Sequence, residues 1–122
     1  MTMTIEQQYF IDVIQLMPEH SIIFIQAPSL ELEPLLRIMS ETKFPYYKSI
    51  ALTGKSRELL IAAIGETSIL EDFQSFEIWN SGTCLFKGFD GAEIGEISRD
   101  IYLPESFTQK YIVNHGMCSF LN

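Results

Sequence analysis

Two short turn sequences constrain the second half of the chain more than any other feature. Ser81-Gly82 and Asp90-Gly91 each separate two apolar runs. Such pairs favour the positive φ angles that tight hairpin turns require. We therefore predict three strands, at 76–80, 83–89 and 92–98, joined as an antiparallel meander.

The first half predicts a helix followed by a strand. Thr4 and Gln7 have the spacing of a capping box, and apolar residues recur at helical spacing over 4–17 until Pro18. The β-branched and aromatic run 22–26 is typical of a buried strand. These two elements start the fold.

The middle of the chain predicts a second helix and a hairpin. Ser29 is a candidate cap for a helix over 30–42, in which Pro34 shifts the start towards Glu33. The runs 46–52 and 58–64 flank a Gly-containing turn at 53–57 and predict strands. The run 58–64 is equally compatible with a helix by propensity.

Shorter elements complete the prediction. We expect a single helical turn at 68–74, a last helix from Pro104 to His115-Gly116, and an edge strand at 117–121. The result is an α+β fold. A mixed, mainly antiparallel sheet of about six strands packs against three or four helices, within a single domain over 1–122.

A glycine in the last meander strand suggests a bulge. Strict alternation places Ile94 and Ile97 on opposite faces of the sheet. A bulge at Gly95 would turn both inward and leave Glu93 and Glu96 outside. The alternative is that these acids only prevent strand-to-strand aggregation at an edge.

Charge restricts the possible partners. The chain has 16 acidic and 8 basic residues, and residues 66–122 hold nine of the acids against three bases. Such a field repels nucleic acid and anionic membranes and attracts a basic protein. The apolar runs are too short to span a bilayer, and residues 1–8 contain no Lys or Arg. We therefore expect no membrane association, no signal peptide and a cytoplasmic location.

Motifs for catalysis or metal binding are absent from the sequence. Thr53-Gly54-Lys55-Ser56 resembles the end of a phosphate-binding loop, but Ser49 stands where that pattern needs glycine. Cys84 and Cys118 lack CxxC spacing and are expected to be reduced packing residues. We therefore predict no catalytic residue, no metal ligand and no cofactor, and a binding protein rather than an enzyme.

A small, acidic α+β chain without a catalytic set resembles the bacterial immunity proteins that neutralise toxin nucleases. The resemblance implies a toxin whose basic cleft would meet Asp90, Glu93 and Glu96. Acids and aromatic anchors suited to such a partner cluster in the second half. The predicted partner-binding residues are Glu71, Asp72, Glu77, Trp79, Phe89, Asp90, Glu93, Glu96 and Asp100.

Two other functions are compatible with the sequence. One is a small-ligand-binding domain or enzyme, with a pocket between the sheet and a helix lined by Tyr46, Tyr47, Cys84 and His115. The other is an oligomeric scaffold that pairs through the edge strand 117–121. A binder would co-purify with a basic protein, whereas an enzyme would bind small molecules alone.

Overall fold

The chain folds into one sheet with helices on one side, as the computed structural model of residues 2–121 shows. The helices are α1 Ile5–Leu16, α2 Glu33–Leu36, α3 Gly54–Glu66, a 3₁₀ turn Ile69–Asp72, and α4 Glu105–Phe107, which continues as a π-helix over Thr108–Asn114. The strands are β1 Ile22–Gln26, β2 Ser40–Glu41, β3 Lys48–Ala51, β4 Ser75–Asn80, β5 Thr83–Phe89, β6 Ile94–Ser98 and β7 Cys118–Leu121.

The sheet has seven strands in the order β2-β3-β1-β4-β5-β6-β7. All neighbours are antiparallel except β6 and β7, which are parallel. The predicted α+β class with a mainly antiparallel mixed sheet is therefore confirmed, with seven strands instead of six. Within residues 2–121, no helix is both long enough and apolar enough to cross a bilayer.

The meander is confirmed together with its turn chemistry. Ser81 and Gly82 have φ of 50° and 80° between β4 and β5. Asp90 and Gly91 have φ of 51° and 66° between β5 and β6. These are the left-handed conformations that Ser-Gly and Asp-Gly turns supply at low steric cost.

The helices pack against one face of the sheet, which we call the inner face. Tyr9 and Phe10 of α1 are fully buried, and the ring of Phe10 lies 5.0 Å from that of Phe76 on β4. The π-helix joins the same layer, since the rings of Tyr111 and Tyr9 lie 4.9 Å apart. The core therefore sits between α1, the π-helix and strands β1, β4, β5 and β6.

Two glycines make room for this aromatic core. Gly88 of β5 and Gly95 of β6 are cross-strand partners on the inner face. A Cβ at Gly88 would lie closer than 3.0 Å to the Phe76 ring, and one at Gly95 would be equally close to Phe86. Glycine at both positions lets the rings of Phe76 and Phe86 stack on each other with centroids 5.6 Å apart.

Helices α1 and α3 are antiparallel and cap each other. The Arg57 guanidinium, at the start of α3, donates to the carbonyls of Ile14 and Met17 at 2.6 and 2.9 Å, at the end of α1. Gln7, at the start of α1, donates to Ile64 O at 2.8 Å, near the end of α3. Each pair satisfies carbonyls that a helix end leaves without partners.

The hairpin predicted over 46–64 is wrong, because only its first arm forms a strand. The second arm, 58–64, belongs to α3. Thr53 accepts from the backbone of Ser56 and Ser56 accepts from that of Thr53, so a capping box starts the helix there. Leu60, Ala63 and Ile64 then form its buried face at helical spacing.

Two further predictions of detail are wrong. The helix expected over 30–42 is reduced to one turn, Glu33–Leu36, and β2 follows it. Its start at Glu33 agrees with the position of Pro34 in the first turn. No bulge forms at Gly95, because β6 pairs with β5 in unbroken register. The irregularity lies between Ile78 and Trp79 of β4 instead.

The other predicted elements are confirmed. Helix α1 begins at a Thr4–Gln7 capping box, and β1 occupies the expected 22–26. The single turn within 68–74 is the 3₁₀ turn. The last helix and the edge strand within 117–121 also form, and β7 extends the sheet beside β6.

Replacing Arg57 by alanine should destabilise the protein by about 2 kcal/mol, because several carbonyls lose a charged donor. Urea denaturation measures this as a lower midpoint. Lys55→Ala, in the same first turn but exposed, is the matched control and should change stability by less than about 0.5 kcal/mol. Equal midpoints for the two variants would contradict the capping role.

Gly88→Ala should destabilise the protein by about 1–3 kcal/mol or more, because its methyl group overlaps the Phe76 ring. The matched control is Gly54→Ala, where a Cβ has no neighbour within 4 Å. This control at the first position of α3 should be neutral or slightly stabilising. Thermal melts of both variants test the prediction, and a wild-type melting temperature for Gly88→Ala would refute it.

Candidate functional site

The outer face of the sheet has no helix packed on it in the described part of the chain. Strand alternation places two rows of cross-strand neighbours there. One row runs Phe24, Glu77, Lys87, Glu96 and the other runs Gln26, Ser75, Phe89, Ile94. Ile22 pairs with Trp79 beyond the first row. The outer face therefore mixes aromatic side chains with carboxylates.

A groove of about 520 Å³ lies on the outer face beside β1 and β4. We call it the aromatic groove. The loop between β2 and β3 forms one wall and the turn after β4 closes an end. Its lining residues are His20, Ile22, Phe24, Lys43, Phe44, Tyr47, Glu77, Trp79, Ser81 and Gly82. The volume lies within the roughly 300–1,000 Å³ of typical ligand pockets.

Hydrogen bonds fix two of the aromatic rings in this groove. The Tyr47 hydroxyl lies 2.8 Å from Ser75 Oγ, which donates to Gln26 Oε1 at 3.0 Å. Trp79 Nε1 donates to Glu77 Oε1 at 2.8 Å. These hydrogen bonds satisfy the polar atoms of both half-buried rings.

A second depression, which we call the acidic cleft, lies at the end of the sheet where the β5–β6 turn meets the 3₁₀ turn. Its volume is about 430 Å³, and its acidic lining residues are Glu6, Glu71, Asp90 and Glu93. Within residues 2–121, none of the four forms an ion pair. Within the same residues, no group of three or more His, Cys, Asp or Glu side chains is placed to hold a metal ion.

The structure brings together most of the predicted partner-binding residues, in two neighbouring groups. Glu77, Trp79, Phe89 and Glu96 lie on the outer face, and Glu71, Asp90 and Glu93 line the acidic cleft. Phe89 and Ile94 connect the groups, because they flank the turn that carries Asp90 and Glu93 and are 38% and 50% exposed.

Two of the predicted residues lie apart from these groups. Asp100 follows the far end of β6, whereas Glu93 precedes its start. Asp72 is half-buried in the 3₁₀ turn and does not line the acidic cleft. The carboxylates after Gly65 therefore do not form one continuous patch, because the strand directions separate them.

The sequence interpretation missed the first-half residues of the aromatic groove except Tyr47, which it assigned to a different pocket. Ile22 and Phe24 belong to a run that we expected to be buried on both faces, and Phe44 lies in a segment assigned to a helix end. The available signal was the cluster of aromatic residues around Pro45, namely Phe44, Tyr46 and Tyr47. That the loop between β2 and β3 shares a groove with Trp79 follows only from the tertiary structure.

The pocket expected between sheet and helix is not formed by the four residues named for it. Tyr47 lines the aromatic groove, which is on the helix-free face, and Tyr46 is exposed beside it. Cys84 pairs with Trp79 on that face. His115 precedes β7, which four strands separate from β3 and Tyr47.

Neither cysteine has the environment of a reactive nucleophile. Both are free, with Cys84 on the outer face and Cys118 buried on the inner face. Burial raises the pKa of Cys84, and the nearby Glu77 raises it further. Burial also raises the pKa of Cys118. A raised pKa leaves little thiolate at neutral pH.

The buried tyrosines are structural as well. Burial raises the pKa of Tyr9, whose hydroxyl makes no hydrogen bond of normal geometry and lies beside the Cys118 thiol. Burial, then the hydrogen bond to Asp12 at 2.6 Å, raises the pKa of Tyr111. Both phenols therefore stay protonated at neutral pH.

The segment 53–56 is a helix cap in the structure. Thr53 and Ser56 use their side chains to satisfy each other's backbone amides at the start of α3. A phosphate-binding loop needs such amides to be available. The segment therefore provides no anion cradle.

Comparison with models of known protein families found no match, and neither the curated proteins nor the solved structures gave one. The functional argument therefore depends on the geometry and charge of the outer face and the acidic cleft.

The position of Cys84 beside Glu77 gives a pH prediction. Because burial and Glu77 raise the Cys84 pKa, its alkylation by iodoacetamide should reach half-maximal rate at a higher pH than that of an unperturbed cysteine. Glu77→Gln should shift this profile to lower pH. Lys87 acts in the opposite direction, so Lys87→Gln should shift it to higher pH.

Peptide mapping by mass spectrometry follows Cys84 separately from Cys118. Identical profiles for wild type and Glu77→Gln would show that the carboxylate does not act on this thiol.

Proposed function

We propose that the protein is a stoichiometric binder that covers a basic surface of another protein with its outer face and acidic cleft. The observation that carries this proposal is the surface around the β5–β6 turn. Exposed Phe89 and Ile94 lie there beside Asp90 and Glu93, whose carboxylates have no ion-pair partner in the described chain. Apolar contacts surrounded by charge are typical of protein interfaces.

The net charge supports a basic partner. A formal charge of −8 on 122 residues accelerates encounter with a positive surface and orients it, while apolar and aromatic side chains supply most of the affinity. The acidic residues and the aromatic residues lie on adjoining parts of the molecule. Phe89 pairs with Ser75 on β4, the strand that also carries Glu77 and Trp79.

We further propose that the partner is a bacterial toxin, a nuclease for instance, and that the protein acts as its immunity protein. Support comes from the resemblance of the small acidic α+β chain to that class. A nuclease must bind phosphates, so its active-site cleft is basic. Occupying that cleft with carboxylates would exclude the nucleic acid.

A second candidate function is binding of a small molecule in the aromatic groove. The volume and the fixed rings of Tyr47 and Trp79 favour it. Such binding needs no protein partner. The two functions are distinguished by measuring whether a basic protein binds the wild type. Weaker binding of that protein to variants with altered charge at the acidic cleft would favour the first function.

The test is capture of partners from the native source by the immobilised full chain, followed by mass spectrometry and then by kinetics with the purified partner. The double variant Glu93→Lys/Glu96→Lys should slow association about tenfold or more at low salt, since it reverses charge on the proposed interface. The difference should shrink as salt rises.

The double variant Asp100→Lys/Glu105→Lys is the matched control, because it changes the net charge by the same four units and both exposed carboxylates follow the opposite end of β6. The control should associate with the partner at nearly the wild-type rate. Equal slowing by the two variants would contradict a localised interface, and capture of acidic proteins alone would contradict a basic partner.

A further inference from the structure

The aromatic groove combines two features that together select a type of ligand. Its floor carries Phe24 and Trp79 with Glu77 between them, since Glu77 pairs with Phe24 across β1 and is two residues from Trp79 on β4. Its wall adds Tyr47 and Phe44. Ring faces and a carboxylate at one place are the elements of a cation-binding site.

The state of Glu77 supports this interpretation. One carboxylate oxygen, Oε1, accepts from Trp79 Nε1 at 2.8 Å. No other hydrogen bond or ion pair in residues 2–121 uses this carboxylate. The second oxygen is therefore available to a donor that enters the groove, and the hydrogen bond fixes its position in advance.

The groove already contains one cation–aromatic contact. Lys43 Nζ lies 5.6 Å from the centroid of the Phe44 ring. This ammonium group belongs to the chain itself, and its side chain is exposed at the rim. It shows that the wall is accessible to a positive group, and it would compete with a second one.

We propose that the aromatic groove receives a cationic side chain of the partner, an arginine in particular, whose guanidinium stacks on the ring faces and donates to Glu77. The inference rests on the proposed function, and it identifies which part of a basic partner enters which part of this chain. Arginine fits better than lysine, because its planar group stacks on aromatic rings while it donates to a carboxylate.

The alternative occupant is an anionic small molecule, held by the rings and by Lys43. The two cases make opposite predictions for the two charged residues that line the groove. A cation should lose affinity without Glu77 and gain affinity without Lys43. An anion should do the reverse.

Trp79 provides the readout, because it is the only tryptophan in the chain and it lines the groove. The experiment titrates the full chain with a short capped peptide that contains two arginines, and with the same peptide carrying citrulline, which keeps the shape without the charge. We expect saturable change of Trp79 fluorescence with the arginine peptide and at least about fivefold weaker binding of the citrulline peptide.

Three variants then assign the contact. Glu77→Gln keeps an acceptor for Trp79 and removes the charge, so binding should weaken about two- to fivefold. Lys43→Gln should tighten it by a similar factor. Asp100→Asn, at the far end of β6, changes the net charge as much as Glu77→Gln does and should have little effect.

Several results would overturn the inference: equal binding of the citrulline peptide, equal effects of Glu77→Gln and Asp100→Asn, or weaker binding by Lys43→Gln. The exposed Lys43 variant keeps the test valid if Glu77→Gln fails to fold. If partner capture depends on Glu93 and Glu96 while the peptide test fails, only this inference falls and the proposed function stands.

Discussion

The packing of aromatic rings over Gly88 and Gly95 is the contact on which the rest of the structure depends. Because neither glycine has a side chain, Phe76 and Phe86 can lie flat against β5 and β6, and Tyr9 of α1 can follow them down to the sheet. This arrangement concentrates the large rings on the inner face. It also explains why the Tyr9 hydroxyl lies among apolar groups near Cys118, since the ring, not the hydroxyl, determines where α1 sits.

Packing of the helices on the inner face determines what lies on the outer face. Helices α1 and α3 are tied to each other by Arg57 and Gln7, so both remain on the inner side. Strand alternation then sends Phe24, Glu77 and Trp79 outward, where the loop before β3 and the turn after β4 lie beside them. Tyr47 anchors that loop by crossing β1 to Ser75 on β4. The aromatic groove is therefore a result of sheet geometry and of the hydrogen bonds that hold this loop.

Local signals made part of this predictable from sequence. The Ser-Gly and Asp-Gly turns fix the meander because few other residues adopt their backbone angles, and the Thr4–Gln7 box fixes the start of α1. The run 58–64 was ambiguous, and the capping box at Thr53 that resolves it looked like a turn. Gly95 suggested a bulge, but its role is to admit the Phe86 ring, a contact from a distant part of the chain that periodicity does not reveal. The candidate site likewise contains some residues that local sequence identifies and others that only the fold brings together. Acids of the second half and Tyr47 were identifiable, whereas the positions of Phe24 and Phe44 in the groove depend on the tertiary structure.

Charge and shape have different roles on this surface, and their separation matters for how a partner would bind. The acids are distributed between the cleft, the outer face and the far end at Asp100. The electrostatic attraction of these carboxylates therefore acts on a partner mainly before contact, and salt screens it beyond about 8–10 Å at moderate ionic strength. Orientation at contact requires features that salt does not screen, and the aromatic groove and the exposed Phe89 and Ile94 are such features beside the acids. A partner attracted by the net charge would thus be positioned by apolar and aromatic contacts, with Glu77 and Glu93 as the carboxylates close enough to those contacts to take part in them.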